Sequence, residues 1–267
     1  MLAILVLLGG IAAWSAGFAR QDVISADLTN QALINSGKIT PTIDPQTLES
    51  LYQGGIASAA KKDYTQAISQ FSRLVQYRAT YKDSAARLML VYKTLGDQQT
   101  TDVGTLADAP STYGKALALD KTTGFAVRQG FSDSPTLLGG GISYEVFLKN
   151  LQDLQNLSDH YAKGQAVRTD NPANNWWDSA IAQWEPVYQA NPDYLKNYPV
   201  LAISGRLVDT YQSKAQYLCR VRSDYAGALT AINRAQEIAY RSKLSDSKQA
   251  IILNLLLFIN QSQCQTS

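Results

Sequence analysis

One two-part pattern occurs twice along this chain, and it constrains the fold more than any single motif. The first copy holds Lys62-Asp-Tyr-Thr-Gln-Ala-Ile68, then Phe71 and Leu74; the second holds Asn175-Trp-Trp-Asp-Ser-Ala-Ile181, then Trp184 and Val187, all displaced by 113 positions. Further on, Leu88, Tyr92, Gly96, Ala109, Tyr113 and Ala116 are answered by Leu207, Tyr211, Ala215, Ala228, Ile232 and Ala235, each 119 positions later. Six extra residues therefore separate the two registers. A large-small alternation at helical spacing, repeated over such a period, is what stacked helical pairs require, because each pair buries its apolar face only against its neighbours.

The chain of 267 residues is 45% hydrophobic, enough for a core, and 17% charged, so its surface is polar more than ionic. A formal net charge of +2 offers no broad basic field, and no cluster of Arg and Lys is interleaved with aromatics. Nucleic acid is excluded as the expected partner.

Leu2 to Ala19 is an 18-residue stretch without a charge. At about 1.5 Å per helical residue it would extend roughly 27 Å, close to the hydrocarbon thickness of a bilayer. Two readings stand. Gly17 and Ala19 are small residues suitably placed for signal cleavage before Arg20, but no Lys or Arg precedes the apolar run, which favours a retained anchor. Either reading places the body on the extracytoplasmic side, tethered or secreted, while Arg20 alone leans the other way. Residues 21–44 lack a sustained helical period and read as a tether.

The folded body begins at Asp44-Pro45, a carboxylate that can cap a helix followed by a proline that loses no bond in the first turn. The helix runs to about Lys61, and the turn at Asp63-Tyr64 leads into a second helix carrying Ala67, Phe71 and Leu74. Tyr92, Gly96, Gly104, Ala109, Tyr113 and Ala116 mark a second pair, with Pro110 near a helix start. Residues 121–143 hold Gly124, Gly130, Pro135 and Gly139-Gly140-Gly141 and predict a joint between two halves. The glycine run leads to Ile142-Ser143-Tyr144 and not to a Lys-Ser/Thr pair, so it is no phosphate cradle.

Tyr144 to Lys163 shows one apolar face through Val146, Phe147, Leu151, Leu154, Leu157 and Tyr161. A polar loop through Asn171, Pro172, Asn174 and Asn175 precedes the helix with Ala180, Trp184 and Val187, which Asn191-Pro192 closes and Pro186 should bend or end locally. A fourth pair spans about Pro199 to Val221, a turn at Ser223-Asp224-Tyr225, and a helix through Ala228, Ile232 and Ala235. Asp246 can cap a last helix whose Ile251, Ile252, Leu255, Leu256, Phe258 and Ile259 would cover the end of the stack.

Over roughly residues 46–120 and 144–241 this pattern resembles the tetratricopeptide repeat family. The resemblance implies an all-α, right-handed α-solenoid of about four helix pairs plus a C-terminal capping helix over 243–267, behind one N-terminal hydrophobic segment, residues 1–20. It implies a concave surface that binds protein segments, and no catalysis. Carried over position by position, the groove residues are Tyr52 and Ile56, Lys93 and Asp97, and Gln212, Gln216 and Arg220. Tyr52 with Ile56 does not supply the basic and amide pattern that grips a chain-terminal acid. Trp176, about 100° around its helix from the core-directed Trp177, is a further candidate anchor or packs against the preceding loop.

Catalytic chemistry is sparse. His160 is the one histidine, and two cysteines with one histidine make no zinc set, so no metal or other cofactor is expected. Glu145 or Glu185 could serve as the single acid of a cell-wall-cleaving enzyme, although no separate catalytic domain remains to hold it. The expected role is a non-catalytic, membrane-tethered scaffold or accessory subunit for membrane-associated protein partners; the alternative is an extracytoplasmic sensor with a ligand cavity near the glycine-rich joint. Cys219 and Cys264, placed at one edge by parallel alternate helices, are a candidate disulfide.

Overall fold

The structure, a computed structural model, describes residues 43–139, 141–168, 175–261 and 264. The apolar segment 2–19, the tether through residue 42 and most of the polar loop around Asn171 lie outside the described residues. Nine α-helices follow one another: α1 (Pro45–Ala60), α2 (Tyr64–Arg78), α3 (Ser84–Thr100), α4 (Ala109–Asp133), α5 (Tyr144–Ala166), α6 (Trp176–Ala190), α7 (Ile203–Arg220), α8 (Tyr225–Arg241) and α9 (Asp246–Asn260). Each packs chiefly on its neighbours in sequence, so the helices form sequential pairs. None of the described helices is long and apolar enough to cross a membrane.

Local chemistry sets the helix starts. The Asp44 carboxylate accepts from the Gln46 backbone N–H at 3.2 Å with Pro45 in the first turn. Asp63 does the same for Gln66 at 3.1 Å, and Asp224 for Gly227 at 2.9 Å. Lys62 and Ser223, just before these two caps, take left-handed backbone angles of φ 61° and 51°, which turn the chain sharply between the helices of the first and fourth pairs. Asp246, expected to cap the last helix, is instead the first residue of α9, and the cap position belongs to Ser245.

Close approach within the pairs depends on glycine facing an aromatic ring. A Cβ placed on Gly55 would stand 2.7 Å from the Phe71 ring, and one on Gly96 would stand 2.6 Å from the Tyr113 ring. Gly164 meets Trp184 in the same way. In the fourth pair the corresponding positions are Ala215 and Ile232, both buried. Gly104, by contrast, lies in a turn with only Asp102 nearby.

One expectation is corrected here and another is narrowed. Residues 121–143 are not a joint throughout: α4 continues to Asp133 and bends at Thr123 (φ −135°, ψ 29°). The hydroxyls of Thr122 and Thr123 bond back to the carbonyls of Ala118 and Leu119, an arrangement that bends helices. Gly130 is retained in the helix because its bare Cα lies against the start of α3, where an added Cβ would be 2.9 Å from Ala86 and 3.1 Å from the Asp83 backbone. Between α4 and α5 lie the short 3₁₀ turn Pro135–Leu138, Gly139 at φ 75° and Gly141 at φ 109°. Pro186 does not end α6, which runs on to Ala190. Pro186 and Ala182 are both exposed, so solvent can satisfy the carbonyl that the proline leaves unpaired.

The core is a series of three clusters along the chain. The first joins α1, α2 and α3 around Phe71 and Leu74; the second joins α3, α4 and α5 around Met89, Val127 and Leu151. Val75, Tyr92 and Leu119 pack against both. The third, around Trp184, Leu207 and Ile232, takes in Leu106 from the α3–α4 connection and runs from Tyr161 to Cys264. Ile252, Leu255 and Ile259 of α9 are buried in it, with Leu256 and Phe258 packed alongside, whereas Ile251 stays on the outside.

Candidate functional site

The first and third helices stand side by side and leave an apolar groove of about 340 Å³, lined mainly by Ile56, Ala59, Leu90, Val91, Thr94 and Leu137. Ile56 is half-buried at its wall. Tyr52, read as a groove position, is buried at 7% exposure. The reason is a polar tie beneath the groove: the Tyr52 hydroxyl donates to Asp83 Oδ1 at 2.6 Å, and Arg87 Nε donates to the same oxygen at 2.8 Å. Burial works against ionisation of Asp83, but hydrogen bonds from Arg87, Tyr52 and Ser134 outweigh it and hold the carboxyl below its ordinary range. Arg87 also borders the groove, so the tie fixes the one charge on its rim.

A second tie lies at the edge of α1. Glu49 receives Gln53 Nε2 at 2.9 Å, and Lys82 Nζ and the Tyr81 hydroxyl at 2.6 Å each. These three donors push its carboxyl down to about 2. Lys82 stands 4.6 Å over the Tyr52 ring.

Lys93 and Asp97 pair with each other at 2.6 Å, and Asp97 accepts the Tyr113 hydroxyl at 2.8 Å. Gln212 is half-buried and Gln216 exposed on α7. Arg220, at the end of that helix, stands 5.3 Å over the ring of Phe258 and so faces α9. Trp176 is partly buried against the third core cluster, 6.1 Å from Trp177, with the Arg168 guanidinium 5.8 Å over its ring. Tyr52 and Ile56 thus share one helix in contact with α3, whereas Trp176, Gln212, Gln216 and Arg220 stand on α6 and α7.

Neither acidic candidate has the raised pKa that a general acid uses near neutrality. Burial would raise that of Glu185, but Arg234 grips it through Nε at 2.9 Å and Nη2 at 2.8 Å, and Tyr211 donates at 2.8 Å, leaving it lowered overall. Glu145, at the first turn of α5, is lowered by its own backbone N–H and by Ser143. His160 Nδ1 lies 3.0 Å from Gln183 Oε1 and borders a separate cavity of about 480 Å³ between α5 and α6. Among the described residues no group of three or more His, Cys, Asp and Glu side chains comes together that could hold a metal ion.

Cys219 and Cys264 form a disulfide with their Cα atoms 4.6 Å apart, both buried. It ties the end of α7 to the segment after α9 and points to an oxidising compartment. Sequence reasoning missed the Tyr52–Asp83–Arg87 tie and the contact of Gly164 with Trp184. A signal for the tie was present: Asp83 and Arg87 are one helical turn apart at the start of α3, the spacing at which opposite charges meet.

These observations define an all-helical protein of nine described helices packed in sequential pairs, with an apolar groove between α1 and α3. Comparisons with protein-family models, with curated proteins and with solved structures find no match.

Proposed function

We propose that this chain is a non-catalytic interaction scaffold, an accessory subunit of a membrane assembly, tethered through residues 2–19 with its helical body on the extracytoplasmic side. In this reading the four pairs α1–α8 form a right-handed solenoid like that of tetratricopeptide repeat proteins, with α9 as its terminal helix. The observation that carries the reading is the groove between α1 and α3: an apolar strip with one fixed guanidinium at its rim suits an apolar segment of a protein partner. The Cys219–Cys264 disulfide supports the extracytoplasmic placement. The carboxylates that chemistry would need are instead held in ion pairs and caps.

Affinity purification from gently solubilised membranes, comparing the unaltered chain with Ile56→Asp, tests this. Stoichiometric co-purification of membrane proteins, lost in the variant while its thermal midpoint is kept, is the expected result. Glycan turnover by the purified chain, or a small ligand recovered with it in place of any protein, would replace the scaffold reading.

A further inference from the structure

Three polar groups around Tyr161 are buried without a hydrogen-bond partner among the described residues, away from the groove between α1 and α3. Tyr161 itself is fully buried on α5, and its hydroxyl donates to the Leu201 carbonyl at 2.5 Å, just before α7 begins. The Tyr194 ring stands 5.6 Å from that of Tyr161, and its hydroxyl, on a residue only 7% exposed, is the first of the three. Gln165 follows Tyr161 by one helical turn and shares its face of α5; its Oε1 is the second. Arg206, half-buried in the first turn of α7, supplies the third through Nε. A buried polar group without a partner destabilises a fold and native chains keep few of them, so three gathered about one side chain call for an explanation.

The charge at this place is positive and unpaired. Burial raises the pKa of the Tyr161 hydroxyl, while the guanidinium of Arg206 and, more weakly, that of Arg168 act against the rise, so both cations lie near that oxygen. None of the ion pairs among the described residues takes in Arg168 or Arg206. Asp97, the carboxylate that acts on Tyr194, is already held by Lys93 at 2.6 Å and by the Tyr113 hydroxyl at 2.8 Å. The signs of the unpartnered groups narrow what fits. Nε and the adjacent Nη of a guanidinium present two parallel N–H groups, which a carboxylate meets with both oxygens. Gln165 Oε1 only accepts, so the ligand brings an N–H or O–H close to its carboxylate, and Tyr194, able to donate or accept, is left for a further polar atom.

We propose that the corner beside Tyr161, between α5 and the start of α7, is a binding site for a small amino or hydroxy acid, its carboxylate on Arg206 and Arg168 and its neighbouring donor on Gln165 Oε1. A water molecule satisfies hydrogen bonds there but leaves the half-buried Arg206 charge uncompensated, whereas a carboxylate does both. The site is separate from the groove, and the scaffold role neither requires it nor conflicts with it.

Saturation-transfer NMR of the full chain in detergent, titrated with glycine, glycolate, acetate or methylammonium, tests this. Glycine or glycolate is expected to bind, the tighter of them showing whether the donor is N–H or O–H. Acetate should bind about tenfold more weakly, because it leaves Gln165 Oε1 unpartnered, and methylammonium, which lacks the carboxylate, not at all. Arg206→Lys keeps the charge but loses the fork and should weaken the tighter ligand about tenfold. Arg168→Gln, at an exposed position, should weaken it about threefold and carries the same test should Arg206→Lys not fold. Gln165→Leu should abolish the preference over acetate. Thermal midpoints establish that each variant is folded. No saturable binding of either glycine or glycolate, the result expected of water alone, would overturn the proposal, as would binding indifferent to both arginine substitutions or acetate held as tightly as the better of the two acids.

Discussion

At the scale of single residues, the ion pairs act as fixed joints between helices, and their cost appears when one partner is removed. Arg234 reaches from α8 to Glu185 on α6, with side chains 27% and 15% exposed. Arg234→Ala leaves the Glu185 charge half-buried with Tyr211 as its remaining strong donor, and the expected loss is about 2 kcal/mol in urea unfolding. Adding Glu185→Gln should recover part of that loss, since the stranded charge is then gone. Glu49 gives a pH signature. Its carboxyl is lowered from the ordinary 4.5 to about 2 by Gln53, Lys82 and Tyr81, so its contribution is complete above pH 4.5 and disappears as pH falls toward 2. Thermal midpoints of the protein and of Glu49→Gln should differ above that window and converge at its acid end. Neither joint follows from residue spacing: Glu185 and Arg234 are 49 positions apart and meet only because three helices bring them together. The cap at Asp44 was legible because a cap is made with a residue two or three positions away, and the same geometry recurs at Asp63 and Asp224, which the sequence marked as turns.

At the scale of the helix, glycine has opposite meanings at different positions. A methyl group on Gly55 would stand 2.7 Å from the ring of Phe71, which is buried in the first core cluster. Gly55→Ala should therefore destabilise by about 1–3 kcal/mol, as overpacked sites do. Gly114 in α4 would meet only the flexible end of Gln155, so Gly114→Ala should stabilise by about 0.5–1 kcal/mol through the lower entropy of the unfolded chain. Thermal unfolding of the two variants, with opposite signs expected, checks both. The same distinction explains the misplaced joint. Gly124 and Gly130 lower helix propensity, but the contact of Gly130 with the start of α3 is long-range and decides the matter. Gly164 escaped notice for a related reason: it precedes its aromatic by 20 positions, against 16 for Gly55 and 17 for Gly96, because the third pair has the longer connection between its helices.

At the scale of the whole molecule, the pairing of neighbours in sequence was legible because it needs only a repeated face on each helix, whereas the groove depends on how far α1 and α3 stand apart. The closing of the C-terminal end combines both kinds of information. Cys219 ends α7, and the chain must pass through α8 and α9 before Cys264 returns to the same edge, a sequence separation of 45. Both cysteines are buried, at 0% and 1% exposure, and Cys219 shares its cluster with Ile232, Ile252 and Ile259. A bond across a loop of that length restricts the unfolded chain and contributes about 3–4 kcal/mol. Serine at both positions removes the bond while leaving two small side chains, so global unfolding in denaturant should lose about that amount without a comparable change in helix content by circular dichroism. Because the bond joins α7 to the segment beyond α9, hydrogen exchange should quicken most in α9, which packs chiefly on α8 and to a lesser extent on α7. Uniform quickening across α1 to α9, or two alkylated thiols on freshly purified unaltered protein under denaturing, non-reducing conditions, would contradict this account of the end of the stack.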